Sequence, residues 1–177
     1  MIKLFQEIGR AGDATIAYPA GAVDFPDGYR GKPEHNEVMC IACAACAIAC
    51  PPNAITMSLD ENEDNIIWNI SYGRCIFCGR CHEVCPVDAI ELTQEFELAV
   101  MSKSDLTNEC AYPIARCSRC GKPYASAKEI EHSKQLLASM GYEQDKINVS
   151  DVCIECRRLE DARNAKKIAL EKEGSVN

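Results

Sequence analysis

Twelve of the chain's thirteen cysteines stand at spacings suited to metal ligation. The first run, CIACAACAIACPP from Cys40 to Pro52, sets Cys40, Cys43 and Cys46 two residues apart, adds Cys50 after three more, and stops on proline. A second run places Cys75, Cys78, Cys81 and Cys85 in the same way, and two CxxC pairs follow, Cys117 with Cys120 and Cys153 with Cys156. Thiolates are soft ligands, and such spacings wrap them around zinc or iron. A disulfide framework would scatter its cysteines, whereas these are clustered and odd in number. The start, MIKLFQEIGRAGD, breaks its apolar run with Lys3, Gln6 and Glu7, so no secretory segment is read there and a reducing, cytoplasmic setting is expected.

The spacing CxxCxxCxxxCP is that of the bacterial ferredoxin run, in which three thiolates hold one cluster and the fourth ligates the other. It assigns Cys40, Cys43, Cys46 and Cys85 to one 4Fe-4S cluster, and Cys75, Cys78, Cys81 and Cys50 to a second. Zinc on the same cysteines, or paired disulfides, are the alternatives. The alanines of the first run (Ala42, Ala44, Ala45, Ala47 and Ala49) let backbone N–H groups approach the sulfurs. The CxxC pairs further on, with Gly121 directly after the first, match the knuckles of a zinc ribbon or a rubredoxin-type site: Cys117, Cys120, Cys153 and Cys156 would hold one zinc, or a mononuclear iron instead, or no metal. Cys110 has no CxxC partner; it reads as a buried thiol that could replace one of those four.

Positioning these ligands falls to an internal repeat. CIACAACAIACPPNAI returns as CIFCGRCHEVCPVDAI after 35 residues, with eight of sixteen positions identical, among them the prolines and the closing Ala-Ile. Two pseudo-symmetric halves, each too small for a core, would complete one another. Between them, AITMSLDENEDNIIWNISYGRC reads as an inserted hairpin turning at Asp60 to Asp64, with Trp68 on its second strand. Residues 1–35, rich in Gly and Pro, read as one short amphipathic turn (Leu4, Phe5, Ile8) and an extended docking arm. The expected order is thus arm 1–35, two-cluster domain 36–95, linker 96–108 and metal module 109–177. In the module, helices are predicted at Ser126 to Met140, closed by Gly141, and at about Arg157 to Glu173, the latter a solvated charged helix. The fold class is α+β: a ferredoxin-like domain with an inserted hairpin, an extended N-terminal arm and a small helical C-terminal module.

Net charge of −8, without any Lys/Arg block interleaved with aromatics, argues against a nucleic-acid partner. No apolar run has the roughly 18 residues that a spanning helix needs. No Ser/His/Asp set, phosphate loop or paired-carboxylate motif is present, so no catalytic residue is assigned. His35 and His132 lack ligand spacing, and His82 reads as part of an exposed ferredoxin surface.

RGKPEHN before the first cysteine, CIACAACAIACP, GRCIFCGRCHEVCPVDAI and QEFELA together resemble the two-cluster iron-sulfur subunits of formate hydrogenlyase and hydrogenase-4. More distantly, they resemble the equivalent subunit of respiratory complex I. The resemblance implies a relay subunit of a group-4 nickel-iron hydrogenase complex, passing electrons from formate oxidation through two 4Fe-4S clusters toward hydrogen evolution. It also implies partner subunits and a place at the cytoplasmic face of the inner membrane. Another group-4 hydrogenase, a complex I-like oxidoreductase or a free soluble ferredoxin is the alternative.

Overall fold

The structure, a computed structural model, describes residues 2–12 and 15–174, with side chains up to residue 167. Its elements are α1 (Ile2–Ala11), β1 (Pro33–His35), α2 (Ala45–Ala49), β2 (Ile55–Leu59), β3 (Asn65–Ser71), α3 (Arg80–Glu83), β4 (Ile90–Leu92), β5 (Thr107–Arg116), β6 (Pro123–Ser126), α4 (Ala127–Ser139), α5 (Gln144–Asn148) and α6 (Ile154–Gly174). Helix and sheet are mixed. Strands β1 and β4 form a two-stranded antiparallel sheet, and β2-β3-β5-β6 a four-stranded one.

The repeat is visible in the core. Each cysteine run ends in an Ala-Ile pair that starts a strand, Ile55 opening β2 and Ile90 opening β4, and Ala54, Ile55, Ala89 and Ile90 are all 3% exposed or less. Burying each isoleucine contributes about 1.5–3 kcal/mol. Strand β3 sits between β2 and β5, with Trp68 opposite both Met57 and Cys110. Alternation along β3 turns Trp68 and Ile70 inward, where they meet Ile55, Ile90 and Tyr112. The hairpin turn is held by Asp60, whose carboxylate accepts from the backbone N–H of Asp64 (2.8 Å) and Asn65 (3.1 Å) and from the Asn65 amide (2.9 Å).

Two segments differ from the sequence expectation. The first ten described residues form a full helix, α1, whose apolar residues Ile2, Leu4, Phe5 and Ile8 are all more than half exposed. The stretch after it folds back instead of extending away: Tyr18 and Phe25 pack on Phe96, and the N–H groups of Gly31 and Lys32 donate to the carbonyls of Thr93 and Glu95 (2.9 and 2.7 Å). A Cβ at Gly31 would run into both carbonyl oxygens, so only glycine admits this approach. Second, the cysteine module is not simply appended. After a 3-10 turn at Lys103–Leu106, β5 pairs with the whole of β3 and carries Cys110 and Tyr112 into the main core. Alternating polar residues and a proline weaken the strand pattern in the sequence, and the pairing with β3 supplies what local propensity lacks. Helix α4 runs to Ser139, followed by Gly141 at φ +78°. Among the described residues, no helix is long and apolar enough to cross a membrane.

Candidate metal centres

Each cysteine run wraps a small cavity using backbone that L-residues avoid. Ala42 and Ala44 have φ of +54° and +64°, and 35 residues on Phe77 and Gly79 have +54° and +80°. A non-glycine residue held there costs roughly 1–2 kcal/mol; Ala42, Ala44 and Phe77 accept that cost, whereas Gly79 avoids it. The gain is donors aimed at sulfur. Ala42 N–H donates to Cys40 Sγ (3.3 Å) and Phe77 N–H to Cys75 Sγ (3.4 Å). After each run a second left-handed residue, Asn53 or Asp88 (both φ +50°), turns the chain so that Ala54 N–H reaches Cys50 Sγ and Ala89 N–H reaches Cys85 Sγ, each at 3.2 Å.

The structure gathers Cys40, Cys43, Cys46 and Cys85 around one cavity, and Cys50, Cys75, Cys78 and Cys81 around the other. The first is otherwise lined by alanines, Met57, Trp68, Val87 and Ile90, the second by Pro33, Ile55, Ile70 and Phe77. Largely apolar walls, with Arg80 the charged side chain lining the second cavity, convergent thiols and N–H donors suit an anionic iron-sulfur group. Burial raises the thiols of Cys46 and Cys75, and pushes Cys81 up to about 11. Free thiolates are therefore disfavoured at these positions, and a cationic iron core is the kind of partner that makes them favourable.

One contact to a thiol has no counterpart in the repeat. The Trp68 indole N–H, 1% exposed as a residue, donates to Cys46 Sγ (3.4 Å). Its ring stacks on His35 with centroids 3.8 Å apart. His35 in turn lies against Cys110 Sγ (Nδ1, 3.6 Å) and Tyr112 Oη (Nε2, 3.4 Å). Burial, ahead of the opposing pull of Glu37, holds the His35 imidazole below its usual value. Cys110 donates to the Glu37 carboxylate (3.1 Å) and is pushed up to about 12, by burial first and then by that carboxylate. Cys110 is thus a protonated core thiol and stands outside the C-terminal four-thiol group, contrary to the sequence suggestion that it could replace a ligand there.

That group comprises Cys117, Cys120, Cys153 and Cys156, whose sulfurs all lie within 4.8 Å of one another. Cys117 directly follows β5 and opens a knuckle closed by Gly121 (φ +72°), whose N–H donates to the Cys117 carbonyl (2.9 Å). Cys153 and Cys156 sit at the start of α6, and Cys153 N–H donates to Cys117 Sγ (3.3 Å). The Cys120 and Cys153 sulfurs are 3.7 Å apart. A tetrahedron with metal-sulfur bonds of about 2.3 Å has an edge of about 3.8 Å, so the spacing fits one ion. Backbone donors, that of Cys153 foremost, pull Cys117 down to about 6, while hydrogen bonds that the Cys156 thiol donates to its neighbours, Cys153 first, push it up to about 12. Four thiols compete for negative charge, a conflict that a bound cation removes.

The other histidines stand apart from these groups. His82 is exposed, with Nδ1 on the Ile90 carbonyl (2.7 Å), and His132 belongs to none of the thiol sites. Trp68 and Arg30, whose Nη1 donates to the Cys78 carbonyl (2.8 Å), touch the cysteine runs yet carry no spacing signal. Arg30 lies 48 positions from its partner. The sequence hint for Trp68 is a single tryptophan placed on the inward face of the hairpin.

Residues 39–89 match the 4Fe-4S dicluster domain. Formate hydrogenlyase subunit 6 of Escherichia coli (strain K12) is 41% identical over 160 residues, covering 89% of either chain. The chain belongs to the formate hydrogenlyase subunit 6 family. An alignment of that extent takes in the paired cysteine runs and the Cys117–Cys156 module together. NADH-quinone oxidoreductase subunit I of Pseudomonas entomophila (strain L48) is 37% identical over 138 residues, covering 64% of this chain and 76% of its own. A chain of the membrane-bound sulfane sulfur reductase, an archaeal respiratory membrane complex, aligns at a TM-score of 0.44 with 24% identity, over 60% of this chain and 58% of its own.

Proposed function

We propose that this chain is the iron-sulfur electron-transfer subunit of a formate hydrogenlyase-type hydrogenase complex, a relay without a catalytic site of its own. The observation that carries this reading is the exchange of cysteines between halves: each cavity is lined by three cysteines from one run and a fourth from its repeat. Cys40, Cys43, Cys46 and Cys85 would hold one 4Fe-4S cluster, and Cys75, Cys78, Cys81 and Cys50 the other. Bound, each cluster would take up and release one electron at a time. The protein's part is to keep water from the sulfurs with Trp68, Ile55, Ile70 and Ile90, and to stabilise their charge with five N–H donors. The four C-terminal thiols would hold zinc as a structural ion, with mononuclear iron as the alternative at the same ligands.

In this reading residues 36–95 form the relay, 109–177 the metal module and 1–35 the arm that docks on partner subunits at the cytoplasmic face of the membrane. The exposed apolar side of α1 supports the docking role, because an amphipathic helix left uncovered exposes the kind of apolar surface that partners bury. Similarity to NADH-quinone oxidoreductase subunit I favours, as the second reading, the same relay role in a complex I-like oxidoreductase.

Anaerobic purification of the chain from its native cells, with partner mass spectrometry, metal analysis and assay of formate-dependent hydrogen evolution, tests this. Hydrogenase subunits with about eight irons per chain and one further metal equivalent are expected. A lone chain carrying the same irons would favour a soluble ferredoxin, and an iron-free, folded chain would overturn the cluster assignment.

A further inference from the structure

The two halves match in backbone but not in charge. At the second site, Arg74 directly precedes Cys75 and Arg80 lines the cavity, where the first half has Met39 and Ala45 at the 35-residue equivalents. Arg80 is answered by Glu83 (2.6 Å), and the nearby Lys32 by Glu95 (3.1 Å). Arg74 and Arg30 have no carboxylate within ion-pair distance among the described residues. Instead, Arg74 donates to the Pro52 carbonyl (3.3 Å) and Arg30 to that of Cys78 (2.8 Å). Arg30 lies over Gly79: a Cβ there would come within 3.7 Å of its Nε. Both guanidiniums are therefore tied to backbone that forms the second cavity. Glu34 on β1, near Lys32, faces Glu91 across the strand pair, and both line one cleft with Glu37 and Asp88.

The first cavity has no charged residue in its lining. Its rim is acidic. In the turn after each run, the second site has Asn53, while the equivalent turn at the first has Asp88, in the same left-handed conformation and without a basic partner among the described residues. Glu37 and Glu129 also lie on the first side. Among the described residues the cation there is Lys128, which donates to the Glu37 and Val38 carbonyls (2.7 and 3.3 Å). The backbone N–H donors to sulfur are equal in number at the two sites. Trp68 adds a neutral dipole to the first, a weaker influence than two whole charges.

We propose that Arg30 and Arg74 make the second cysteine site the more easily reduced of the two, so that an electron shared between the sites comes to rest there. This rests on the two-cluster reading above. The transfer is a one-electron exchange, in which the first cluster is oxidised and the second reduced, with no proton or bond involved. Adding an electron to an anionic group beside two guanidiniums costs less than adding it beside a carboxylate. Both arginines are exposed, so solvent screening limits the effect of each to roughly a three- to tenfold change in the partition ratio.

The test is a redox titration followed by electron paramagnetic resonance on the full chain, purified anaerobically with its iron. Two one-electron waves are expected. Arg30→Gln should move the more positive wave down by a factor of about three to ten in partition, the upper end being about 59 mV. Arg30→Lys should restore it, because charge and not shape is at issue, and Asp88→Asn should raise the more negative wave. Arg74→Gln, predicted to act like Arg30→Gln, serves if Arg30→Gln loses its clusters. The proposal is overturned if the arginine variants shift the more negative wave, or neither wave, while both clusters remain. A chain that binds fewer than two clusters would instead refute the two-cluster reading, and this inference with it.

Discussion

Replacing Cys153 with serine should unfold the C-terminal module and leave the relay standing. Little else among the described residues holds that module together: its buried cluster consists of Cys117, Val152 and Cys153, with Tyr124 and Cys156 packed against it, and Ile147 is the other buried apolar residue described there. Full burial of Val152 and Ile147 contributes about 1.5–3 kcal/mol each. A structural zinc on four thiolates contributes about 10–16 kcal/mol at neutral pH. The surface ion pairs Arg119–Glu160 (2.6 Å) and Lys122–Glu155 (3.4 Å) link the knuckle to α6, but exposed pairs contribute about 0–1 kcal/mol. Cys153 also donates its N–H to Cys117 Sγ, so the substitution disturbs two ligands at once. In hydrogen exchange followed by mass spectrometry, amides of residues 117–156 should lose protection in Cys153→Ser. Those of β3 and most of β5 should keep it, because Thr107 to Pro113 are paired with β3. Full protection of α4 and α5 in a variant shown to lack the extra metal would refute the argument.

Trp68→Phe keeps the stack on His35 but removes the donor to Cys46. Its effect on one added electron, spread over the cluster, is roughly 0.5–1 kcal/mol, part of the 1.5–3 kcal/mol of a charge-assisted bond, so one wave of a redox titration should fall by about 20–40 mV; an unmoved pair of waves would count against the contact. Cys110→Ala should retain both clusters and the C-terminal metal, measured by iron and zinc content. In the unaltered chain Cys110 titrates near 12, so its thiolate, present only as pH rises toward that value, should be too scarce at pH 8 for alkylation in the folded protein; rapid labelling there would contradict its assignment as a core thiol. Deleting residues 2–12 should leave cluster content and melting temperature unchanged, since α1 buries none of its residues, while lowering recovery of partner subunits in an affinity purification. Unchanged assembly would remove the docking role from α1.

The ferredoxin frame was legible because its information is local. Four cysteines, a proline and an Ala-Ile pair recur at fixed spacing, and each local choice agrees with the structure it builds, down to the left-handed residues two and four positions after Cys40 and Cys75. The helix at Ala127–Ser139 was legible for the same reason, having a clear start and a glycine stop. What escaped was long-range. Strand β5 gains its place from pairing with β3 some forty positions earlier, and Gly31 from carbonyls at Thr93 and Glu95. The amphipathic turn at the start proved to be a helix, because its pattern of Leu4, Phe5 and Ile8 also extends to Ile2 and is not broken by Gly9.

The same long-range contacts give the metal module a consequence for the relay. Lys128, in the first turn of α4, grips the carbonyls of Glu37 and Val38 and lies over Tyr112 (5.1 Å to the ring centroid). Those carbonyls belong to the segment that leads into Cys40, and Tyr112 contacts His35, the partner of Trp68. The folded module thus braces the entry to the first cysteine run and the stack behind Cys46. Among the described residues of the module, none makes a comparable contact with the second run, where Arg30 and Arg74 come from the arm and the relay itself. Loss of the C-terminal metal should therefore be felt at the first site before the second. In Cys153→Ser, the wave that Trp68→Phe moves should shift or broaden, while the wave governed by Arg30 stays in place. Equal disturbance of both would mean that α4 does not act through Lys128 but through the stability of the whole fold.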